Sequence, residues 1–406
     1  MTTNKLRWLP SLRDMSEEQQ SVINDSFTGS SLIYGPAGSG KTAVILFRAK
    51  TLIDQGKRVR IITYTKVLIA FIKAAAQDLG IPGNDITTLH SWAWDLYRRY
   101  CGDPQSAPGD DKYSAWVDGV IKFAQDNPTK LPRYDYVLVD EAQDFPPNVA
   151  RFLRLISDNL FVAGDTAQSL YENHRNFGEF AQHWRPTARE GRLLRNYRNP
   201  KAVARVAALF LGKSPVDRDR FMEIVQRRAS EMKPIWYEVD SPEDQVNRIV
   251  KILSDSRGDV SIGILFRHKE QRSSLAAALK RKGVDFQIAE GDRGYSFENT
   301  GLPTLVTIHS AKGLEFDWVI LPDLNESAWS GATLDDAERR LFFVALTRSK
   351  NKVYLLSEKG KAFGLLRELI ASDANLIQPS TSSPSPPRGT GPTFDQSAKD
   401  NFDDPF

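Results

Sequence analysis

Apolar residues along the chain gather into short runs separated by helix-length segments in which they recur every three or four positions. The runs SLIYG, RIITYT, DITTLH, YVLVDE and LFVAGD predict strands in the first half. IWYEVD, IGILFR, DFQIAE, LVTIHS, WVILPD and KVYLLS do so in the second. Strands alternating with amphipathic helices predict parallel sheets built from βαβ units. Two such sets predict two α/β domains, divided at RNYRNP into 1–195 and 196–378. The remainder, QPSTSSPSPPRGTGPTFDQSAKDNFDDPF, carries neither period. A segment so rich in Ser, Pro, Gly and Thr buries too little apolar surface to offset its ordering entropy, so 379–406 is expected to be a disordered tail.

Composition narrows the class. With 406 residues, 41% hydrophobic and 26% charged, the chain suits a soluble protein of two to three domains. A single cysteine, Cys101, excludes an internal disulfide and suits a reducing compartment. No apolar run approaches the ~18 residues of a membrane span, and MTTNKLRWLPSLRD lacks the apolar core of a secretory signal. The expectation is a cytoplasmic protein with no membrane partner. Net charge is +3; from Leu376 onward four acids face two bases, so the rest of the chain is at +5. That balance suits a polyanion, and a solvated surface equally well.

The strongest chemical signal is Gly35-Pro-Ala-Gly38-Ser-Gly40-Lys41-Thr42, between the strand SLIY and the helix KTAVILFRAKTLI. Glycines there let backbone N–H groups turn around phosphate oxygens at a helix N-terminus. Lys41 would reach the β- and γ-phosphates and Thr42 would bind Mg²⁺. About a hundred residues on, YVLV ends in Asp140 and Glu141. Asp140 would hold Mg²⁺ through water, and Glu141 would orient and deprotonate the attacking water. The pairing predicts hydrolysis of a nucleoside triphosphate.

Further segments, in order, are SEEQQSVI, TYTK, TLHSW, DEAQD, VAGDTAQSLY, RNYRNP, TIHSAKGLEFDWV and ERRLFFVALTRSK. This series, from about residue 10 to 355, resembles the UvrD/Rep/PcrA-type superfamily 1 DNA helicases. The resemblance implies two RecA-like P-loop domains using ATP and Mg²⁺, with single-stranded DNA as partner and 3′-to-5′ movement. It implies that Gln19 reads adenine, Tyr197 stacks on it and Glu315 accepts from the ribose. Gln168 would sense the γ-phosphate, and Arg198 and Arg348 would reach it across the interdomain cleft. ATP would then close the cleft and hydrolysis release it. A surface salt bridge would account for either arginine, and core packing for Tyr197, without any such role. Tyr64 occupies a base-stacking position, and His90 and His309 lie in backbone-contacting motifs; either histidine could instead pack or cap. The chain departs from the pattern at Tyr171-Glu-Asn-His174-Arg175, where a tryptophan stacker is absent and His174 is the candidate substitute, and at Ala43, where an arginine is common.

The large insertions of that family are reduced to about 92–133 in the first domain and absent from the second. This leaves two readings, a self-sufficient translocase or helicase, and a DNA-stimulated accessory or sensor ATPase beside a partner nuclease or regulator in a repair or anti-phage defence complex. NFDDPF resembles the acidic C-terminal tip of bacterial single-stranded-DNA-binding protein. By that resemblance Phe406 and Pro405 would enter an apolar pocket and Asp403 and Asp404 would meet its basic rim. The tip would dock on proteins that read such tips, or cover the DNA track; only the second predicts that its removal raises DNA affinity.

Overall fold

The computed structural model describes residues 9–25, 28–63, 66–109, 112–145, 148–165, 188–211, 215–225, 232–256, 260–289, 301–329, 336–372 and 375–380. Among these, strands form two sheets. The first holds β1 (Ser31–Tyr34), β2 (Val59–Thr63), β3 (Ile86–Thr88), β4 (Tyr136–Val139), β5 (Leu160–Gly164) and β6 (Arg189–Arg192), in the order β3-β2-β4-β5-β1-β6. The second holds β7 (Ile235–Val239), β8 (Ile262–Phe266), β9 (Gln287–Ile288), β10 (Thr304–Thr307), β11 (Phe316–Leu321), β12 (Ser349–Glu358) and β13 (Gln378–Ser380), in the order β13-β7-β12-β11-β8-β10-β9. Every pairing is parallel. The architecture is the expected α/β pair of RecA-like sheets.

Both faces of each sheet are covered, which is why the central strands read as unbroken apolar runs. In the first sheet Leu32, Ile62, Val137 and Val162 point to one face, while their neighbours Ile33, Ile61, Leu138 and Phe161 point to the other. The first face lies under helices Leu89–Tyr100, Lys112–Asp126 and Asn148–Ile156, with Trp92, Trp116 and Phe152 filling the space. Helix Lys112–Asp126 packs against the other two helices of this layer. The opposite face joins a larger cluster that also takes in Val306, Val319 and Leu355 of the second sheet.

Two edge strands depart from the sequence pattern. β6, REGR, alternates partly buried with exposed positions and has no apolar run to announce it. β13 pairs with β7 through Pro379 and Ser380. The tail expected over 379–406 therefore begins inside a strand, because edge pairing uses backbone groups and needs no apolar side chains; residues 381–406, with Asp403, Asp404, Pro405 and Phe406, lie outside the described residues. Among the described residues no helix is long and apolar enough to cross a membrane.

Candidate functional site

The carboxyl ends of β1, β4 and β5, neighbours in the first sheet, converge on one end of a cleft, where ligands of open α/β sheets bind. β1 feeds the glycine-rich loop. Gly38 and Gly40 have φ of 80° and 84°, the left-handed region, and a Cβ on Gly40 would stand 2.4 Å from Gln19 Nε2. Only glycine fits there. Gly40 caps helix Lys41–Asp54, and Lys41 Nζ donates to the carbonyls of Gly35 and Pro36, each at 3.1 Å. The neighbouring Thr42 Oγ1 donates to Asp140 Oδ2 at 2.6 Å.

Asp140 is wholly buried at the end of β4. Burial, followed by the charge of Glu141, pushes its carboxyl above the usual range. Burial also pushes Glu141 up, but Lys41 and Lys312 outweigh it and hold Glu141 low. Glu141 has φ 52° and ψ 43°, a left-handed conformation that costs a non-glycine residue roughly 1–2 kcal/mol. Such strain persists where surroundings impose it. Gln143 holds the Glu141 side chain in place: its amide N–H donates to Glu141 Oε2, while its Oε1 accepts from Asp165 N at 3.0 Å.

The opposite wall comes from the second sheet, whose β11 and β12 begin where the cleft ends. Glu315 precedes β11 and Arg348 precedes β12, tied in register by Phe316 N donating to Arg348 O at 3.0 Å. Arg198 Nε pairs with Glu315 Oε2 at 2.8 Å, and Lys350 Nζ stands 3.7 Å from Glu315 Oε1. Against the burial that would raise it, these two charges hold the Glu315 carboxyl below its ordinary value. Arg348 is buried and donates to the carbonyls of Val344, at 3.1 Å, and Leu314, at 3.3 Å. Burial, then the Arg198 charge, lowers its pKa to about 9, so it stays cationic at neutral pH.

A cavity of about 350 Å³ lies between the walls, lined by Lys41, Thr42, Glu141, Arg198, Glu315 and Arg348, with Gln19, Gly38 and Tyr197 at one side. Ten of the site residues chosen from sequence thus line one space, while Gly35 and Asp140 stand just behind it. Gln19 has a structural task too: with Ser16 it closes a capping box on helix Glu17–Asn24, and its Nε2 donates to Ser39 O at 2.8 Å. Arg48, on the same helix as Lys41, donates to the carbonyls of Val22, Ile23 and Asp25 at 3.1 Å each and so fixes the helix that carries Gln19. Arg48, Gln143, Lys312 and Lys350 escaped the sequence reading; three of the four stand within motifs quoted above.

Away from the cleft, Thr88-Leu-His90-Ser91 and Thr307-Ile-His309-Ser310 form the same turn. In each, Thr Oγ1 accepts from the Ser backbone N, at 3.0 Å and 3.4 Å, and donates to Ser Oγ, at 2.8 Å and 3.0 Å. Each turn leaves its histidine exposed. His90 stacks on Tyr113 at 5.3 Å, while His309 sits among Arg267, His268 and Lys312. Tyr64, Gln168 and His174 lie outside the described residues.

A family model described as an AAA domain matches residues 18–174, and one described as a UvrD-like helicase C-terminal domain matches residues 302–360. A probable DNA helicase of Mycoplasma pneumoniae is 27% identical over 254 residues, 57% of this chain and 45% of its own length. DNA helicase IV of Escherichia coli is 25% identical over 261 residues, 56% of this chain and 34% of its own. Over a shorter stretch of 62 residues, 14% of this chain and 8% of the relative, the ATP-dependent DNA helicase PcrA of Bacillus subtilis is 42% identical. The chain therefore spans less than half the length of these relatives.

Proposed function

As the chain belongs to the UvrD-like superfamily 1 proteins, we propose that it is an ATP-driven motor that moves 3′-to-5′ along single-stranded DNA. The observation that carries this reading is the make-up of the cleft, where Lys41, Thr42 and Glu141 from one half face Arg198, Glu315 and Arg348 from the other across one cavity. Phosphoryl transfer is driven by positioning and by positive charge near the terminal phosphate. Charge supplied from both halves makes hydrolysis depend on their closure. The Thr42 hydroxyl and Asp140 carboxylate form a hard-oxygen pair suited to Mg²⁺, which would neutralise charge on the phosphates. Lys41 would exchange the Gly35 and Pro36 carbonyls for phosphate oxygens. Arg198 would likewise leave Glu315 for the γ-phosphate, freeing Glu315 to accept from the ribose. Glu141, held by Gln143, would orient the water. Gln19 and Tyr197 would meet the adenine, and the exposed His90 and His309 turns would touch the DNA backbone. The polarity rests on the family likeness.

One observation favours the second reading, a DNA-stimulated accessory or sensor ATPase. Among the described residues of 92–133, helix Lys112–Asp126 packs against helices Leu89–Tyr100 and Asn148–Ile156 of the first domain, which leaves it little scope as a separate module to grip duplex DNA. Strand separation decides between them, using duplexes with a 3′ or 5′ single-stranded tail and Lys41→Ala as the inactive control. Unwinding of the 3′-tailed duplex alone is expected of a self-sufficient helicase. ATPase stimulated by single strands without unwinding would favour the accessory role, and no ATPase under any condition would overturn both.

A further inference from the structure

The two arginines on the cleft wall come from segments 150 residues apart, and like charges repel; something must hold them together. Asn196 and Asn199, both fully buried, occupy the gap between them. Asn196 Oδ1 accepts from the backbone N of Arg198 at 2.9 Å and of Asn199 at 3.2 Å, a side-chain turn that fixes the Arg198 main chain. Asn196 Nδ2 donates to Asn199 Oδ1 at 2.9 Å. Asn199 Nδ2 then spends both hydrogens on the residues flanking the second arginine, donating to Thr347 O at 3.0 Å and Ser349 O at 2.8 Å. The same segment reaches the phosphate loop, since Tyr197 N donates to Gly38 O at 3.0 Å. A Cβ on Gly38 would stand 2.6 Å from Asn196 Oδ1.

We propose that Asn199, acting with Asn196, is a positioning residue that sets the spacing of Arg198 and Arg348 and ties both to the phosphate loop. The inference rests on reading the cleft as an ATP site. It follows from donor arithmetic: only a primary amide accepts one hydrogen bond and donates two from a single planar group. Aspartate would have no donor for the two carbonyls, and leucine would take this partner from three buried polar groups, Asn196 Nδ2, Thr347 O and Ser349 O.

The test measures single-strand-stimulated ATPase of the full chain, well below its melting temperature. Asn199→Ala is expected to lower kcat by about 10–100-fold, the scale of a ~1 Å misplacement of charged groups, with KM for ATP within about threefold. If Asn199 acts through the arginines, combining Asn199→Ala with Arg348→Ala should lower kcat by much less than the product of the two single effects. Effects that multiply would overturn the inference, as would a wild-type kcat per folded molecule accompanied only by a lower melting temperature. Should Asn199→Ala fail to fold, Asn196→Asp keeps the acceptor for both backbone N–H groups and turns the link to Asn199 into a contact between two acceptors, its carboxylate and Asn199 Oδ1. An intermediate kcat is expected from it, and a folded variant at wild-type rate would sink the proposal. A wild-type chain inert toward ATP overturns the ATPase reading and this inference with it, a result unlike an active wild type indifferent to Asn199.

Discussion

At the scale of single residues, His309 is the position where charge environment and exposure can be separated by titration. Although its ring is largely exposed, partial desolvation, then the charges of Arg267, His268 and Lys312, disfavour its imidazolium and lower its pKa below the ordinary 6.5. The unfolded chain therefore binds the proton more readily than the folded one, and stability is fully present above pH 6.5 and lost as pH falls through the folded-state value. Melting temperature should thus drop less between pH 7 and pH 5 in His309→Gln than in the wild type; equal drops would show that the cluster places no strain on the imidazolium. Residue chemistry was partly legible in the sequence. That Lys41, Thr42, Asp140 and Glu141 come together could be expected from their types and spacing, and the cavity and the Thr42–Asp140 hydrogen bond place them together. Asn199 could not be expected, because a side-chain amide bonding main-chain carbonyls about 150 residues away leaves no local period. The repeated Thr-x-His-Ser was legible, as TLHS and TIHS, but its meaning as one turn used twice needed the Thr–Ser hydrogen bonds.

Among the elements, helix Lys112–Asp126 shows how the segment before β4 is held in place. Trp116 is buried on its inner face, donates from Nε1 to Pro104 O at 2.9 Å, and meets His90 edge-on at 4.9 Å. Trp116→Ala is expected to reduce unfolding free energy by about 3–5 kcal/mol in urea titrations. The proposed nucleotide cleft is lined by other elements, so KM for ATP should hold; a large rise in KM would mean that the helix supports the site. The interior strands were legible because burial on both faces leaves continuous apolar runs. β6 and β13 were not: at a sheet edge, backbone pairing suffices, and REGR and QPS carry no hydrophobic signal.

For the molecule as a whole, the feature with the widest reach is the apolar cluster that passes from the first sheet, at Ile33 and Leu138, into the second, at Val306 and Leu355. Each half also keeps a cluster of its own on the other face of its sheet, around Trp92 and Val162 in the first and Ile264 and Leu305 in the second; the shared cluster was not legible, since alternating strand and helix patterns say nothing about which faces meet. A continuous core means that neither half can melt without stripping apolar cover from the other. In a scanning calorimeter the chain should show one heat-absorption peak whose van't Hoff and calorimetric enthalpies agree, where two loosely tethered units would give two peaks or a ratio well below one. The same seam would set a thermal character for the proposed cleft motion. Any opening of the cleft that wets this core carries a positive heat-capacity change, so its rate would curve on an Arrhenius plot rather than climb in a straight line.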